Sequence, residues 1–399
     1  MRLVDKLRRI AAPAAPDALP SRAGAVLPGA RVDAEEGPLW VRRIEVPVDF
    51  VHGRVRLGDL RTAAPGDLAE VARDPRLLAF DFGRTVFFDT ETTSLGGGVG
   101  TYVFLLGAGW FEGASFVVEQ YFLSDVTEER AFLSAINRRF AQFESAVSFH
   151  GKGFDAPRLS DRLSFHRMEL RLPAVHLDLC LVGRSLYRGA FTDCRLQTFE
   201  RELVGFRRSD DLPGAECPRA YFAYLQGDAS LATRVFEHNL HDVLTLPAVA
   251  ECFTRELAAP AHPVVRSNLG LLCESLGQDA PARAHYFAAL DGLRATGHSL
   301  LSRTLERLAL LERRAGRHAE SARLLHERAT IHPRSFQPLE DLAKYYEHRV
   351  RDLTRAEAAA LEARRHLLEG GIEIDPASRA RFLHALDHRL ARLRRRLSP

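Results

Sequence analysis

Thr85-Val86-Phe87-Phe88-Asp89-Thr90-Glu91-Thr92-Thr93 is an apolar run that turns acidic at its end and leads into Gly96-Gly97-Gly98. A period of two sends Val86 and Phe88 to one face and Phe87 to the other, which predicts a strand buried on both sides in the middle of a sheet. Asp89 and Glu91 are two residues apart, so on a strand their carboxylates share a face. That spacing lets them share a divalent cation, and without one their like charges repel at a cost of roughly several kcal/mol. The plainer alternative is a solvated strand end followed by a turn, because Asp-x-Glu is a short and common pattern.

Downstream of this strand, Tyr102 to Phe111 and Ser115 to Leu123 are two further apolar runs, separated only by Glu112-Gly113 and their flanks. So short a connection predicts an antiparallel meander of three strands. A helix is expected from about Thr127 to Phe143, then a short strand, Ala146-Val147-Ser148-Phe149, with the polar exit His150-Gly151-Lys152-Gly153-Phe154-Asp155. Antiparallel strands followed by a helix and another strand imply a mixed α/β sheet with helices on its faces. From Ala156 onward the pattern is mostly helical: Pro157 to Met168, Leu177 to Tyr187, Leu196 to Leu203, Pro218 to Leu225 and about Ser230 to Leu257. In the last of these, His238 and Asp242 are one turn apart and point to one side, whereas His241 faces elsewhere. The apolar flanks Leu240, Val243, Leu244 and Leu246 partly bury Asp242, and a buried carboxylate needs a partner.

Upstream, Leu3, Leu7 and Ile10 have helical spacing and suggest a short docking helix over residues 1–10. The Ala- and Pro-rich stretch Ala11 to Pro28 reads as a linker. Residues 35–60 carry strand-like pieces, Leu39-Trp40-Val41 and Arg43-Ile44-Glu45-Val46, with His52-Gly53 as a turn.

At 399 residues and 46% hydrophobic content the chain has enough apolar material for two or three cored domains. Its 55 basic and 52 acidic residues nearly cancel, so any polyanion binding must be local. Five scattered cysteines without a Cys-x-x-Cys argue against both a disulfide framework and a zinc site and fit a reducing cytoplasm. No stretch approaches the ~20 apolar residues of a membrane span, and the first ten residues do not form a signal peptide.

Three segments together resemble the three motifs of the ribonuclease H-like, four-acidic-residue 3'-5' exonuclease superfamily: Asp89-Thr90-Glu91-Thr92-Thr93, Phe149-His150-Gly151-Lys152-Gly153-Phe154-Asp155 and His238-Asn239-Leu240-His241-Asp242-Val243. More narrowly, Gly96 to Tyr102, His176-Leu177-Asp178-Leu179, and Cys194 to Glu200 through Asp211-Leu212-Pro213-Gly214 resemble the bacterial YprB-type ribonuclease H-like domain. The likeness covers about 84–257, and residues from about 36 loosely. It implies Asp89, Glu91, Asp155 and Asp242 as ligands of two Mg²⁺ or Mn²⁺ ions about 3.5–4 Å apart, and hydrolysis of DNA or RNA. Related enzymes place a tyrosine four residues, or a histidine five residues, before the last aspartate. Here Glu237 is at minus five and His238 at minus four, which matches neither pattern. An imidazole on the same face as Asp242 is nonetheless suited to general base work near neutral pH. His150 stands where many relatives have asparagine. Thr92, His150 and Lys152 are expected at the nucleic acid, and the glycine run as a flexible turn that lets backbone approach it.

From about residue 262 the pattern changes. Leu308-Ala309 with Gly316 and Ala322, and Leu342-Ala343 with Ala356, repeat at the 34-residue tetratricopeptide period. A degenerate earlier copy runs from Leu269-Gly270 through Gly277 to Tyr286-Phe287. The expected organisation is therefore 1–35 helix and linker, 36–260 ribonuclease H-like domain, and 261–399 tetratricopeptide-like repeats that offer a surface to a protein partner. The basic end, Arg389 to Arg396, reads as a solvated charge run. Two other readings compete with a nuclease: a non-catalytic nucleic-acid-binding module of the same fold, and a scaffold acting through its repeats. Four acidic positions kept together favour catalysis.

Overall fold

The computed structural model describes residues 27–94, 100–369 and 374–398. The helix expected over residues 1–10, the linker up to residue 26 and the Gly96-Gly97-Gly98 turn lie outside them. Two compact units divide the chain, Met1–Pro260 and Ala261–Pro399.

The first unit contains the strands β1 (Ala30–Ala34), β2 (Gly37–Pro47), β3 (Val51–His52), β4 (Val55–Arg56), β5 (Thr85–Thr92), β6 (Val103–Glu112), β7 (Ser115–Phe122), β8 (Ser145–Ser148) and β9 (Val175–Asp178). Seven of them form one mixed sheet in the order β1-β2-β7-β6-β5-β8-β9, and β3 pairs with β4 in a separate ribbon turned at Gly53. The meander β5-β6-β7 is antiparallel, and β8 and β9 add on in parallel. Two readings need correction. The pieces within 35–60 are one strand, β2, registered against β7 from Trp40 opposite Phe122 to Pro47 opposite Ser115. Leu177, expected to begin a helix, belongs to β9, and the helix starts only at Leu179.

Helices α1 (Glu129–Phe140), α2 (Asp155–Phe165), α3 (Leu179–Tyr187), α4 (Cys217–Leu225) and α5 (Ala232–Ala258) complete this unit, with short single turns between them. Val86, Phe87 and Phe88 are wholly buried, as expected of a strand covered on both faces. Phe88 meets Phe140 of α1 edge-on at 5.3 Å, while Phe87 on the other face meets Phe111 and Phe116. Aromatic pairs of this kind add about 0.5–1.5 kcal/mol beyond their area.

The sheet's second face is closed by α5, and two glycines of β6 allow it to come near. A Cβ at Gly107 would stand 2.3 Å from Asn239 Oδ1, and one at Gly109 would stand 2.8 Å from Val243 Cγ1. Any side chain there pushes α5 off the sheet. Because Gly107 pairs with Asp89 across the ladder, this close approach is what brings the helix to the acidic end of β5.

In the second unit, seven helices among the described residues pack on their sequence neighbours: α6 (Pro263–Ser275), α7 (Asp279–Ala295), α8 (Leu300–Arg314), α9 (His318–Ile331), α10 (Gln337–Tyr345), α11 (Leu353–Glu369) and α12 (Pro376–Leu397). Leu308-Ala309 and Leu342-Ala343, the residues that carry the 34-residue spacing, are buried on α8 and α10. The basic end is not simply a solvated run. Arg389 and Arg392 of α12 turn inward onto the carboxylate of buried Glu347, at 2.5 and 2.8 Å.

Candidate active site

Three elements bring the four acids together at the end of β5. Asp89 and Glu91 leave the strand on the face covered by α5, and the ladder shifts register just after Glu91. Asp242 comes from α5, and its ligand oxygens lie within 4.8 Å of those of Asp89 and Glu91. Asp155, the first residue of α2, lies beside them, and its Oδ1 accepts a hydrogen bond from the Thr90 hydroxyl. Burial, and then the charges of Asp242, Asp155 and Glu91, holds the Asp89 carboxyl well above the usual carboxylate range, against a hydrogen bond from Asn239. Burial and the charge of Asp242 raise Glu91 in the same way. Asp155 is pushed up to about 6 by burial, with the Thr90 hydrogen bond opposing. Carboxyls pressed together in this manner fit a divalent cation held among them.

Each acid is held by a partner that sequence reasoning did not identify. Asn239 donates to Asp89 Oδ2 at 3.0 Å and accepts at its own Oδ1 from Gln120 of β7. Asp178 at the end of β9 accepts from the backbone N–H groups of His150, Lys152 and Cys180. It thereby shapes the loop before Asp155, in which His150 takes a left-handed conformation at φ 66°. Next to it, His176 contacts Ser148 at 2.7 Å, and burial together with the charge of Lys152 pushes its pKa down to about 3.

His238 is buried, and its ring is aimed by Asp211. Nδ1 lies 2.9 Å from Asp211 Oδ1, while Nε2 is 3.6 Å from Glu91 Oε1 and 3.4 Å from Asp242 Oδ2. An ionised carboxylate only accepts, so Nδ1–H donates to Asp211, with Arg208 Nη1 3.4 Å from the same nitrogen, and Nε2 faces the carboxylates of Glu91 and Asp242. Glu237, the other candidate at this step of the helix, turns instead to Arg42 of β2 at 2.8 Å. His241 packs against the Phe206 ring, away from the acids, as its helical position requires.

Arg208 is the unexpected member. Its guanidinium donates to Asp242 Oδ1 at 2.5 Å, to Glu200 at 2.8 Å and to Asp211 at 3.2 Å, with the side chain only 5% exposed. These bonds keep it firmly charged, although burial opposes the charge. Glu200 is tied in turn to Thr245 at 2.9 Å, and Thr245 to His52 of the β3–β4 ribbon at 3.0 Å. The ribbon thus buttresses the rear of the site. Cys217, first in α4, places its sulfur within 4.8 Å of a Glu91 oxygen, and burial, then the charge of Glu91, raises its pKa. Arg208 and Asp211 lie in an irregular stretch with no helical or strand period, and Cys217 opens the helix that follows it; the turn signal Asp210-Asp211-Leu212-Pro213-Gly214 and the helix-starting Cys217-Pro218 were the available hints.

Of the residues expected at nucleic acid, Thr92 is buried with its hydroxyl on the Ser94 carbonyl at 3.0 Å. His150 is exposed, and Lys152 Nζ lies 3.9 Å from Asp74.

A model of the ribonuclease H superfamily matches residues 86–254. The chain is also 27% identical over 336 residues to an uncharacterized protein of Bacillus subtilis (strain 168), YprB, the match covering 79% of this chain and 78% of that one. The mixed sheet with its flanking helices thus has a ribonuclease H-like fold, followed by a helical region. Ribonuclease H-like nucleases generally use divalent metal ions, and the acidic residues here lie close enough to one another to fit such ions.

Proposed function

We propose that the protein is a metal-dependent nuclease, a 3'-5' exonuclease acting on DNA or RNA, with Asp89, Glu91, Asp155 and Asp242 holding two Mg²⁺ or Mn²⁺ ions. The observation that carries this reading is the packing of Asp89, Glu91 and Asp242 within 4.8 Å, where burial and mutual repulsion raise the carboxyls of Asp89 and Glu91. Oxygen ligands suit hard cations. When bound, the ions supply Lewis acidity at the attacking water and the leaving 3'-oxygen. The chain's own residues do the rest. Asp211 holds the His238 proton at Nδ1, so that Nε2 is free to take a proton from the attacking water. Arg208 occupies Oδ1 of Asp242 and leaves Oδ2 for an ion. Lys152 and His150, on the loop before Asp155, lie where a phosphate contact is expected. The C-terminal helices serve as a tetratricopeptide-like surface for a protein partner. The five free thiols support a cytoplasmic setting, and no helix among the described residues is long and apolar enough to cross a membrane.

The Arg208–Asp242 pair favours a second reading, a nucleic-acid-binding module without ions, since the guanidinium already supplies positive charge to the cluster. Both are tested by incubating the protein with DNA and RNA oligonucleotides labelled at either end, with Mg²⁺, Mn²⁺ or a chelator. Ion-dependent shortening from the 3' end is the expected result. Tight binding with no cleavage under any ion would favour the module.

A further inference from the structure

We propose that Glu91, Cys217 and His238 form a separate site for a borderline transition-metal ion such as Zn²⁺, overlapping the carboxylate centre, and that its occupancy switches the nuclease off. A carboxylate oxygen, a sulfur and an imidazole nitrogen lie within 4.8 Å of one another, on three buried residues. They arrive from three different elements: the end of β5, the first residue of α4 and the second turn of α5. This donor set does not suit Mg²⁺, which takes oxygen, whereas thiolate and imidazole select zinc and its neighbours.

A further feature fits an ion rather than an accident of packing. Asp211 holds Nδ1 of His238 at 2.9 Å, the carboxylate–histidine arrangement that orients metal-binding imidazoles and strengthens their free nitrogen. Three protein ligands with a fourth position left for water or Asp242 Oδ2 match the ligand count of an open zinc site. Without an ion, burial and the charge of Glu91 keep the thiol protonated. On binding, the S–H bond breaks, a sulfur–metal bond forms and the proton leaves to solvent.

The regulatory part rests on the nuclease reading; the site itself does not. One Nε2 lone pair cannot both ligate an ion and accept a proton from water, and Glu91 cannot serve two centres fully at once. Zinc occupancy and cleavage therefore exclude each other.

The test uses the full chain, stripped of metal and titrated with Co²⁺ as a spectroscopic stand-in for zinc. The expected result is a thiolate-to-cobalt charge-transfer band, displaced by Zn²⁺ and absent in Cys217→Ser, whose hydroxyl can still donate to Glu91. Asp211→Asn, which keeps the thiol, should weaken Co²⁺ binding about tenfold or more, as loss of an outer partner typically does. In the oligonucleotide assay, Zn²⁺ should inhibit Mn²⁺-supported cleavage by the native chain, and Cys217→Ser should need at least about tenfold more Zn²⁺ for the same inhibition. No charge-transfer band in the native chain, or the same band in Cys217→Ser, overturns the proposal. Cleavage without the band sinks only this inference, whereas the band without cleavage sinks only the nuclease reading.

Discussion

Nδ1 of His238 lies 2.9 Å from Oδ1 of Asp211, across 27 residues of chain, and this contact decides which ring nitrogen faces the acidic cluster. With Asp211 ionised, the proton sits on Nδ1 and Nε2 is the basic atom. Asp211→Asn can present its amide NH₂ to Nδ1, which stabilises the opposite tautomer and leaves an N–H where a lone pair is needed. Cleavage should fall about 10²–10⁴-fold in both Asp211→Asn and His238→Ala, the usual contribution of a general base. His238→Tyr, which restores the residue usual in related enzymes, should recover part of the rate. Mn²⁺-induced stabilisation should survive in His238→Ala. A pH–rate profile that His238→Ala leaves unchanged from pH 6 to 9 would remove the base from this position.

Asp89 is raised by burial and by the charges of Asp242, Asp155 and Glu91. An ion that binds only the folded chain stabilises it by about 2.7 kcal/mol at a hundred times its Kd. Millimolar Mn²⁺ should therefore raise the melting temperature of the native protein, and Asp89→Ala should abolish the response. The absence of any shift in the native chain under calorimetry would count against a preformed centre.

The same crowding makes the ion-free protein sensitive to pH in an unusual direction. Asp155 titrates at about 6 in the folded chain and near 3.8 when unfolded, and Asp89 and Glu91 are raised as well. Between those values the native state holds more protons than the unfolded chain, so stability falls as pH rises through the window. Asp155 alone should lose about 1–2 kcal/mol between pH 5 and 7.5. Urea unfolding in chelator should show native protein losing more stability over this range than Asp155→Asn does. Saturating Mn²⁺ should reverse the trend. Parallel pH dependence in the two proteins would mean that water, not protein, surrounds the carboxyl.

How much of this was legible beforehand depends on how local the signal was. The strand Thr85–Thr92 and its two acids stood out because apolar alternation and an acidic end are adjacent in sequence. His238 and Asp242 stood out because helical spacing places them on one face. β9 was missed because Val175-His176-Leu177-Asp178 runs directly into the apolar start of α3, and four residues are too few to separate a period of two from one of 3.6. The joining of β2 to β7 was equally hidden, since 76 residues separate Arg43 from its partner Glu119 and the pairing leaves no local mark. Arg208 had no pattern at all, and Cys217 only the helix start Cys217-Pro218. Their places are set by where the irregular chain between Gly205 and Cys217 crosses the end of the sheet, which is a property of tertiary packing. Gly107 and Gly109 read simply as glycines in a strand, yet they are the reason α5 lies close enough for Asn239 to reach Asp89.

Arg208 gives the last prediction. It joins Glu200, Asp211 and Asp242 while almost fully buried, so its removal leaves three carboxylates without their counter-charge. Breaking a buried ionic network from one side typically costs about 3–5 kcal/mol. Arg208→Ala should therefore melt well below the native chain in chelator, and Arg208→Lys, which carries charge but not the planar fork, should fall between them. An ion bound by Asp242 would replace part of the missing charge. The melting-temperature gain on adding Mn²⁺ should then be larger in Arg208→Ala than in the native protein, even if cleavage is lost because Asp242 no longer holds its angle. An equal gain in both proteins would show that Asp242 contributes nothing to ion binding and that its bond to Arg208 is purely a strut of the fold.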